Sequence, residues 1–337
     1  MKRLICFLVA LVLPACACAR TITIPPNTTV IEAEAFQGDE SIAEAVIPAG
    51  VLSIGADAFD GCDPALLIRT SAGSAAMTYA QSNRIDYQAD TTYRALLVGQ
   101  CEYVSPMTAL KGPANDVVAM ENALSLHPVT PYQCTIRENL TVTELSSAIL
   151  TTFAEAKEQD VSLLYYSGHG ANGGYLVGID RRPLSPANLR IILDQIPGRK
   201  IVIVDACNSG AIIGKSADAV QQSFTEAFIT AFSAVKRSLA SDSYYVITAA
   251  RGTQDSMEFQ LTTGMPFGLF TWAFCEAIGY DYFNQKEISP KSDENGDGVV
   301  TIDEAHQYAA RKAIEYYPDQ EAQVYPENCT YQSIVRK

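Results

Sequence analysis

Two side chains of the kind that carry nucleophilic catalysis stand at the ends of apolar runs in this chain. In "KIVIVDACNSG", Lys200 to Gly210, β-branched residues lead into Cys207, and in "LLYYSGHG", Leu163 to Gly170, a similar run leads into His169. A thiol beside an imidazole can act as nucleophile and acid/base in acyl transfer. Taken singly, each residue has a plainer reading, because free cysteine is among the most buried residue types. His169 stands apart from the other two histidines. Gly168 and Gly170 flank it, and glycine permits tight turns and close approach of backbone to a ligand. His127, before Pro128 at a helix end, reads as a solvated cap, and His306 reads as structural. Asp205 precedes Cys207 by two residues, so strand alternation turns both side chains to one side of a sheet. A carboxylate there needs a partner, since an unpaired buried charge is costly.

The elements that must position these residues are legible as periodicity. Arg94–Val98, Val161–Tyr166, Lys200–Val204 and Tyr244–Thr248 read as buried strands, while Asn115–Leu126, Thr143–Ala156, Ser185–Gln195 and Phe267–Ala277 carry helical spacing. Strands alternating with helices predict an α/β fold, a mostly parallel sheet with helices on both faces. Ligand sites in such sheets lie beyond the carboxyl ends of the strands. That rule selects the ends of the two runs that carry His169 and Cys207.

Upstream, the chain repeats itself. "TTVIEAEAFQG" (Thr28 to Gly38) aligns with "VLSIGADAFDG" (Val51 to Gly61) at a shift of 23, pairing Ile31 with Ile54 and Phe36 with Phe59. A period in the low twenties with fixed apolar positions predicts a short leucine-rich-type solenoid fragment over residues 20–90. Residues 1–19 place Lys2 and Arg3 before a short apolar run ending in Ala17-Cys18-Ala19, the pattern of a secretory signal. Too short to span a bilayer, that run predicts a secreted or surface protein with no transmembrane segment. A second reading takes Cys16 as an acylated lipoprotein cysteine.

The formal net charge of the 337 residues is −14, and loss of Lys2 and Arg3 with the signal makes it −16. Such a surface argues against nucleic acid as a partner. Six cysteines remain beyond residue 19, too widely spaced for the dense framework of a small disulfide scaffold. Near the C-terminus, "DENGDGVVTIDE" fits the twelve-residue calcium loop, with Asp293, Asn295, Asp297, the carbonyl of Val299, Thr301 through water and bidentate Glu304 as ligands. Gly298 takes the sharp-turn position. The preceding "YDYFNQKEISPKS" lacks helical spacing, which predicts a single EF-hand-like loop with a C-terminal helix over residues 286–337, and Ca2+ as cofactor.

"YYSGHG" followed by "DACNSG", together with "ALKGPANDVVAM" and "AARGTQDSMEF…GLFTWAFCEAI", resembles the boxes of caspase-like cysteine peptidases, the metacaspase branch in particular. The resemblance places a caspase-like domain over residues 91–285. It implies Cys207 as nucleophile, His169 as acid/base, and the backbone N–H groups of Gly170 and Cys207 as oxyanion hole. It further implies a pocket lined by Asp205, Asp116 and Ser167 that takes Arg or Lys at the cleaved bond. Asp116 has a competing reading as a carboxylate favoured by the positive end of a helix. Related enzymes mature by cutting themselves, and the connection 211–243 offers Lys215, Lys236 and Arg237. The expectation is a monomeric cysteine endopeptidase acting on peptides or proteins. The alternatives are a non-catalytic adhesion protein working through its repeats and a Cys-His peptidase of different side-chain preference.

Overall fold

A computed structural model of the chain describes residues 20–25, 28–48, 50–71, 74–89, 91–127, 130–157, 160–171, 173–208, 224–233, 244–249, 258–260, 264–318, 320, 322–327, 329 and 332–336. The signal-like segment with Cys16, and Lys215, Lys236 and Arg237, lie outside these residues. The chain divides into two compact units, Met1–Ala89 and Asp90–Lys337.

In the first unit, strands Arg20–Thr23, Ile42–Val46, Leu67–Thr70 and Asp86–Ala89 form a parallel sheet in that order. The sequence shift of 23 reappears as its pairing register, Thr21 opposite Glu44 and Glu44 opposite Leu67. Val30–Ile31 and Ser53–Ile54 pair with the same offset. Equivalent apolar side chains therefore stack turn upon turn, as Phe36 does on Phe59 with ring centres 5.0 Å apart. Gly38 and Gly61 hold φ of 74° and 69° at equivalent turns, the left-handed region that favours glycine. A short helix, Ala75–Asn83, follows, its first turn closed by Ser74, whose hydroxyl accepts the Met77 N–H.

The second unit is built on strand–helix alternation. In chain order its elements are β1 (Tyr93–Gly99), α1 (Gly112–Ser125), β2 (Tyr132–Glu138), α2 (Val142–Thr152), β3 (Val161–Ala171), β4 (Tyr175–Val177), β5 (Pro183–Leu184) and α3 (Pro186–Leu193). There follow β6 (Arg199–Asn208), α4 (Phe224–Ser233), β7 (Tyr244–Thr248), α5 (Leu269–Ala277), α6 (Ile302–Tyr316) and β8 (Gln323–Tyr325). The sheet runs β2-β1-β3-β6-β7-β8; the first five strands are parallel and β8 is an antiparallel edge. β3 is buried along its whole length and outlasts β1, and there the hairpin β4–β5 takes over as its neighbour, Leu176 opposite Gly170. Local chemistry sets the helix starts. Thr141 and Glu144 make a reciprocal capping box on α2, while Ser185 caps α3 just before Pro186.

Alternation along the strands sorts side chains onto two faces. Leu96, Val98, Leu164, Tyr166, Val202, Val204 and Val246 point to the face covered by α2, α3 and α4, where Leu145, Ile149, Leu189, Phe228 and Phe232 complete the core. The opposite face meets α1 and α5. Helix α5 is buried at every position except Glu276, between the sheet and α6. His127, just past α1, is buried and not a solvated cap. No disulfide joins the cysteines whose side chains are described. Among the described residues no helix is long and apolar enough to cross a membrane.

Candidate active site

Strands β3 and β6 pair in parallel over ten positions, Arg199 opposite Val161 at one end and Asn208 opposite Gly170 at the other. In this register Cys207 stands directly opposite His169, and Asp205 opposite Ser167. Paired positions on adjacent parallel strands lie about 4.8 Å apart and face the same side. Asp205, Ser167 and His169 therefore belong to the α1/α5 face, and Cys207 pairs with His169 at the carboxyl ends of the strands.

His169 is 7% exposed and is fixed from several directions. Its backbone N–H donates to the Tyr103 hydroxyl at 2.8 Å, and the two rings lie 4.6 Å apart. The Tyr166 hydroxyl lies 2.8 Å from the carbonyl oxygens of both His169 and Val177, tying the strand end to β4. The ring Nε2 lies 2.8 Å from the Thr108 carbonyl oxygen. A carbonyl only accepts, so Nε2 carries the hydrogen and proton exchange falls to Nδ1. Thr108 thus orients the imidazole through its main chain. Gly168 is required by close approach, since a Cβ there would lie 2.6 Å from the Tyr103 hydroxyl oxygen.

Two residues before Cys207 along the strand, two carboxylates are buried together. Asp205 is 3% exposed and Asp116 1%. Asp116 lies beyond the first turn of α1, so the reading as a helix-end carboxylate does not hold. Its oxygens accept from the Ser167 hydroxyl at 2.9 Å, the Gly268 N–H at 2.9 Å and the Tyr282 hydroxyl at 3.1 Å. Asp205 accepts from the N–H and hydroxyl of Thr271 at 3.1 and 2.6 Å. The Thr271 hydroxyl also lies 2.6 Å from that of Tyr165. A Cβ on Gly268 would fall 2.4 Å from Asp205 Oδ2 and 2.9 Å from Asp116 Oδ2, which puts both carboxylates against one spot on the backbone. Burial, and then the Asp205 charge, push the Asp116 pKa up to about 8, against the pull of its three donors. Burial also drives the Tyr165 and Tyr282 hydroxyls upward, so both remain neutral donors.

The acid-rich loop lies elsewhere in the unit. The Gly298 N–H reaches Asp293 Oδ2 at 3.2 Å and the Val299 N–H reaches Asp297 Oδ1 at 2.8 Å. Thr301 and Glu304 form the capping box of α6. The Asn295 amide nitrogen lies 3.2 Å from Asp297 Oδ2 and 3.3 Å from Glu304 Oε1. Asp293 Oδ1 is buried with no hydrogen-bond partner among the described residues. Among the described residues no three His, Cys, Asp or Glu side chains gather as a metal site. The loop strand Val299–Thr301 pairs with Ser333–Arg336, and Tyr280–Asp281 with Lys286–Glu287 precedes it in place of an entering helix.

The parallel sheet thus sets a cysteine beside a histidine at two adjacent strand ends. Residues 92–308 match the caspase domain, and the chain belongs to that family of cysteine peptidases. A crystal structure of a protein from Geobacter sulfurreducens is similar, with a TM-score of 0.46 at 18% identity, covering 73% of this chain and 100% of that one. No curated protein matches the chain.

Proposed function

We propose that the protein is a secreted or surface cysteine endopeptidase that cleaves after Arg or Lys. The observation that carries this reading is the register that sets Cys207 opposite His169, with the acid Asp205 two residues earlier on the same face. In this reading the Cys207 thiolate attacks the scissile carbonyl and the His169 Nδ1 delivers a proton to the leaving amine. The backbone N–H groups of Gly170 and Cys207 hold the oxyanion, where donors fixed in advance stabilise charge that develops only in the transition state. Asp205, Asp116 and Ser167 receive the cationic side chain on the amino side of the cleaved bond. Two buried acids at the foot of one wall favour a guanidinium or ammonium over any neutral guest, because a buried charge demands an opposite one.

The same reading includes calcium in the loop 293–304. Asp293 Oδ1 has no partner among the described residues, and the Asn295 amide nitrogen stands between two carboxylate oxygens, the position a cation would take. Asp293, Asn295, Asp297, Glu304, the Val299 carbonyl and a water on Thr301 would hold the ion. Its chemistry is charge neutralisation at the start of α6. The stacked turns of the first unit fit a leucine-rich-type module, and self-cleavage is assigned to Lys215, Lys236 or Arg237.

The test is a panel of fluorogenic peptides with Arg, Lys, Asp or Asn at the cleaved position, run with and without calcium beside Cys207→Ala. Turnover of the Arg and Lys peptides alone, lost in the variant, is the expected result. Absence of turnover with the thiol reduced would overturn the enzyme reading in favour of a binding role, and preference for Asp would overturn the pocket.

A further inference from the structure

The acid pair is reached by donors from a part of the chain that neither catalytic box contains. Tyr282 lies in the hairpin that follows α5, and its hydroxyl donates to Asp116 Oδ1 across 166 residues of sequence. Its ring is held in place by Phe267 and Phe283, with centres 5.8 and 5.5 Å away. Thr271, in the first turn of α5, turns both its N–H and its hydroxyl to Asp205 Oδ2. One residue before the helix, the Gly268 N–H takes the other side of Asp116 Oδ1. A bare Cα at Gly268 lets both Oδ2 atoms approach the same spot. The segment Gly268–Tyr282 therefore orients both carboxylates at once.

We infer that Tyr282 and Thr271 are positioning residues for basic-side-chain recognition, fixing the orientation and the ionisation of Asp116 and Asp205 from the side opposite the catalytic strands. This inference rests on the reading of that pair as the pocket for Arg or Lys. Two adjacent buried carboxylates oppose each other's ionisation, and donors aimed at the charged form counter that opposition. The Tyr282 hydroxyl is such a donor to Asp116. Among the described residues, the titratable groups facing Asp116 are Asp205 on β6, Tyr165 on β3, Cys275 on α5 and Tyr282 itself. The tyrosines and Cys275 are held neutral by burial. Loss of the Tyr282 hydroxyl raises the Asp116 pKa further, so a smaller fraction of the enzyme presents the second charge at neutral pH. Raising the pH restores that fraction.

The experiment compares the full-length enzyme with Tyr282→Phe, Thr271→Val and Thr271→Ser on peptides carrying Arg or norleucine at the cleaved position, between pH 6 and 9. Tyr282→Phe and Thr271→Val are expected to raise KM for the Arg peptide roughly tenfold, as loss of a hydrogen bond to a charged group does, with kcat retained. The norleucine peptide is expected not to respond. The Tyr282→Phe deficit shrinks toward pH 9, and Thr271→Ser, which keeps the hydroxyl, recovers the wild-type KM. Should Thr271→Val fail to fold, the pH dependence of Tyr282→Phe decides. Wild-type enzyme that requires Arg while both variants leave KM and the pH profile unmoved overturns this inference alone. Equal losses on Arg and norleucine peptides also overturn it, because they report a structural role. Wild-type enzyme indifferent to charge overturns the basic pocket and this inference with it.

Discussion

Cys207 and His169 are cross-strand neighbours, paired in the parallel register of β6 and β3 with no intervening residue. Because side chains alternate along a strand, a slip of one position would send the two groups to opposite faces. The long pairing below them, ten consecutive positions of mostly buried residues, holds that register. His169→Ala is expected to lower kcat/KM by about 10²- to 10⁴-fold, the usual range for loss of a general acid/base. The Cys207 thiol should still titrate with a small alkylating reagent. Retained turnover in His169→Ala would remove the imidazole from the mechanism.

Tyr103 links site geometry to stability. Its hydroxyl accepts the His169 N–H, a backbone donor at a buried position. Tyr103→Phe leaves that donor unsatisfied, which costs about 1–3 kcal/mol. A lower urea midpoint with unchanged slope is the expected signature, together with a fall in kcat larger than the change in KM. An unchanged midpoint would show that water replaces the hydroxyl.

The strands and helices that position the site were legible because they are long and strongly periodic. Buried runs such as Val161–Tyr166 and Lys200–Val204 fill the centre of the sheet, where neither face meets water. Strand β2 was harder to see. It is an edge, and its charged end Arg137-Glu138 is exposed. The short β4, β5 and β8 carry too few residues to show a period. Helix α4 lies inside what read as a plain connection. Cys207, His169 and Asp205 could be singled out because strand ends are where an α/β sheet presents its chemistry. Thr108, Thr271 and Tyr282 could not. Thr108 acts through its carbonyl, which any residue would supply, and Tyr282 meets Asp116 only through the fold. For Asp116 the competing reading failed because α1 packs its second turn inward on β3 and α5, burying the carboxylate.

The acid pair makes a pH prediction with a definite sign. Burial, and then the Asp205 charge, push the Asp116 carboxyl from its ordinary 3.8 up to about 8 in the folded protein. A raised pKa means the folded state holds the proton more tightly. The stability this contributes is therefore fully present below about pH 4 and is lost as pH rises through about 8. Asp116→Asn removes the titration. The variant's melting temperature is expected to fall less than wild type between pH 5 and 8.5. Parallel curves for the two proteins would mean that Asp116 is ionised in both the folded and unfolded states.

The proposed calcium loop can be tested apart from catalysis, because the side chains proposed as its ligands also serve as hydrogen-bond acceptors. Glu304 closes the capping box of α6, so replacing it costs about 0.5–2 kcal/mol whether or not an ion binds. Asp293 is the cleaner probe. One of its oxygens accepts the Gly298 N–H, and the other is buried with no partner among the described residues. Wild-type protein is expected to gain about 2.7 kcal/mol when free calcium reaches about a hundred times its dissociation constant. Asp293→Ala should lose that increment, and its melting temperature should be the same in chelator and in calcium. Since Val299–Thr301 pairs with Ser333–Arg336, amide exchange of the last strand should slow on addition of calcium in wild type alone. If neither melting nor exchange responds, the loop is a capped turn held by its own hydrogen bonds.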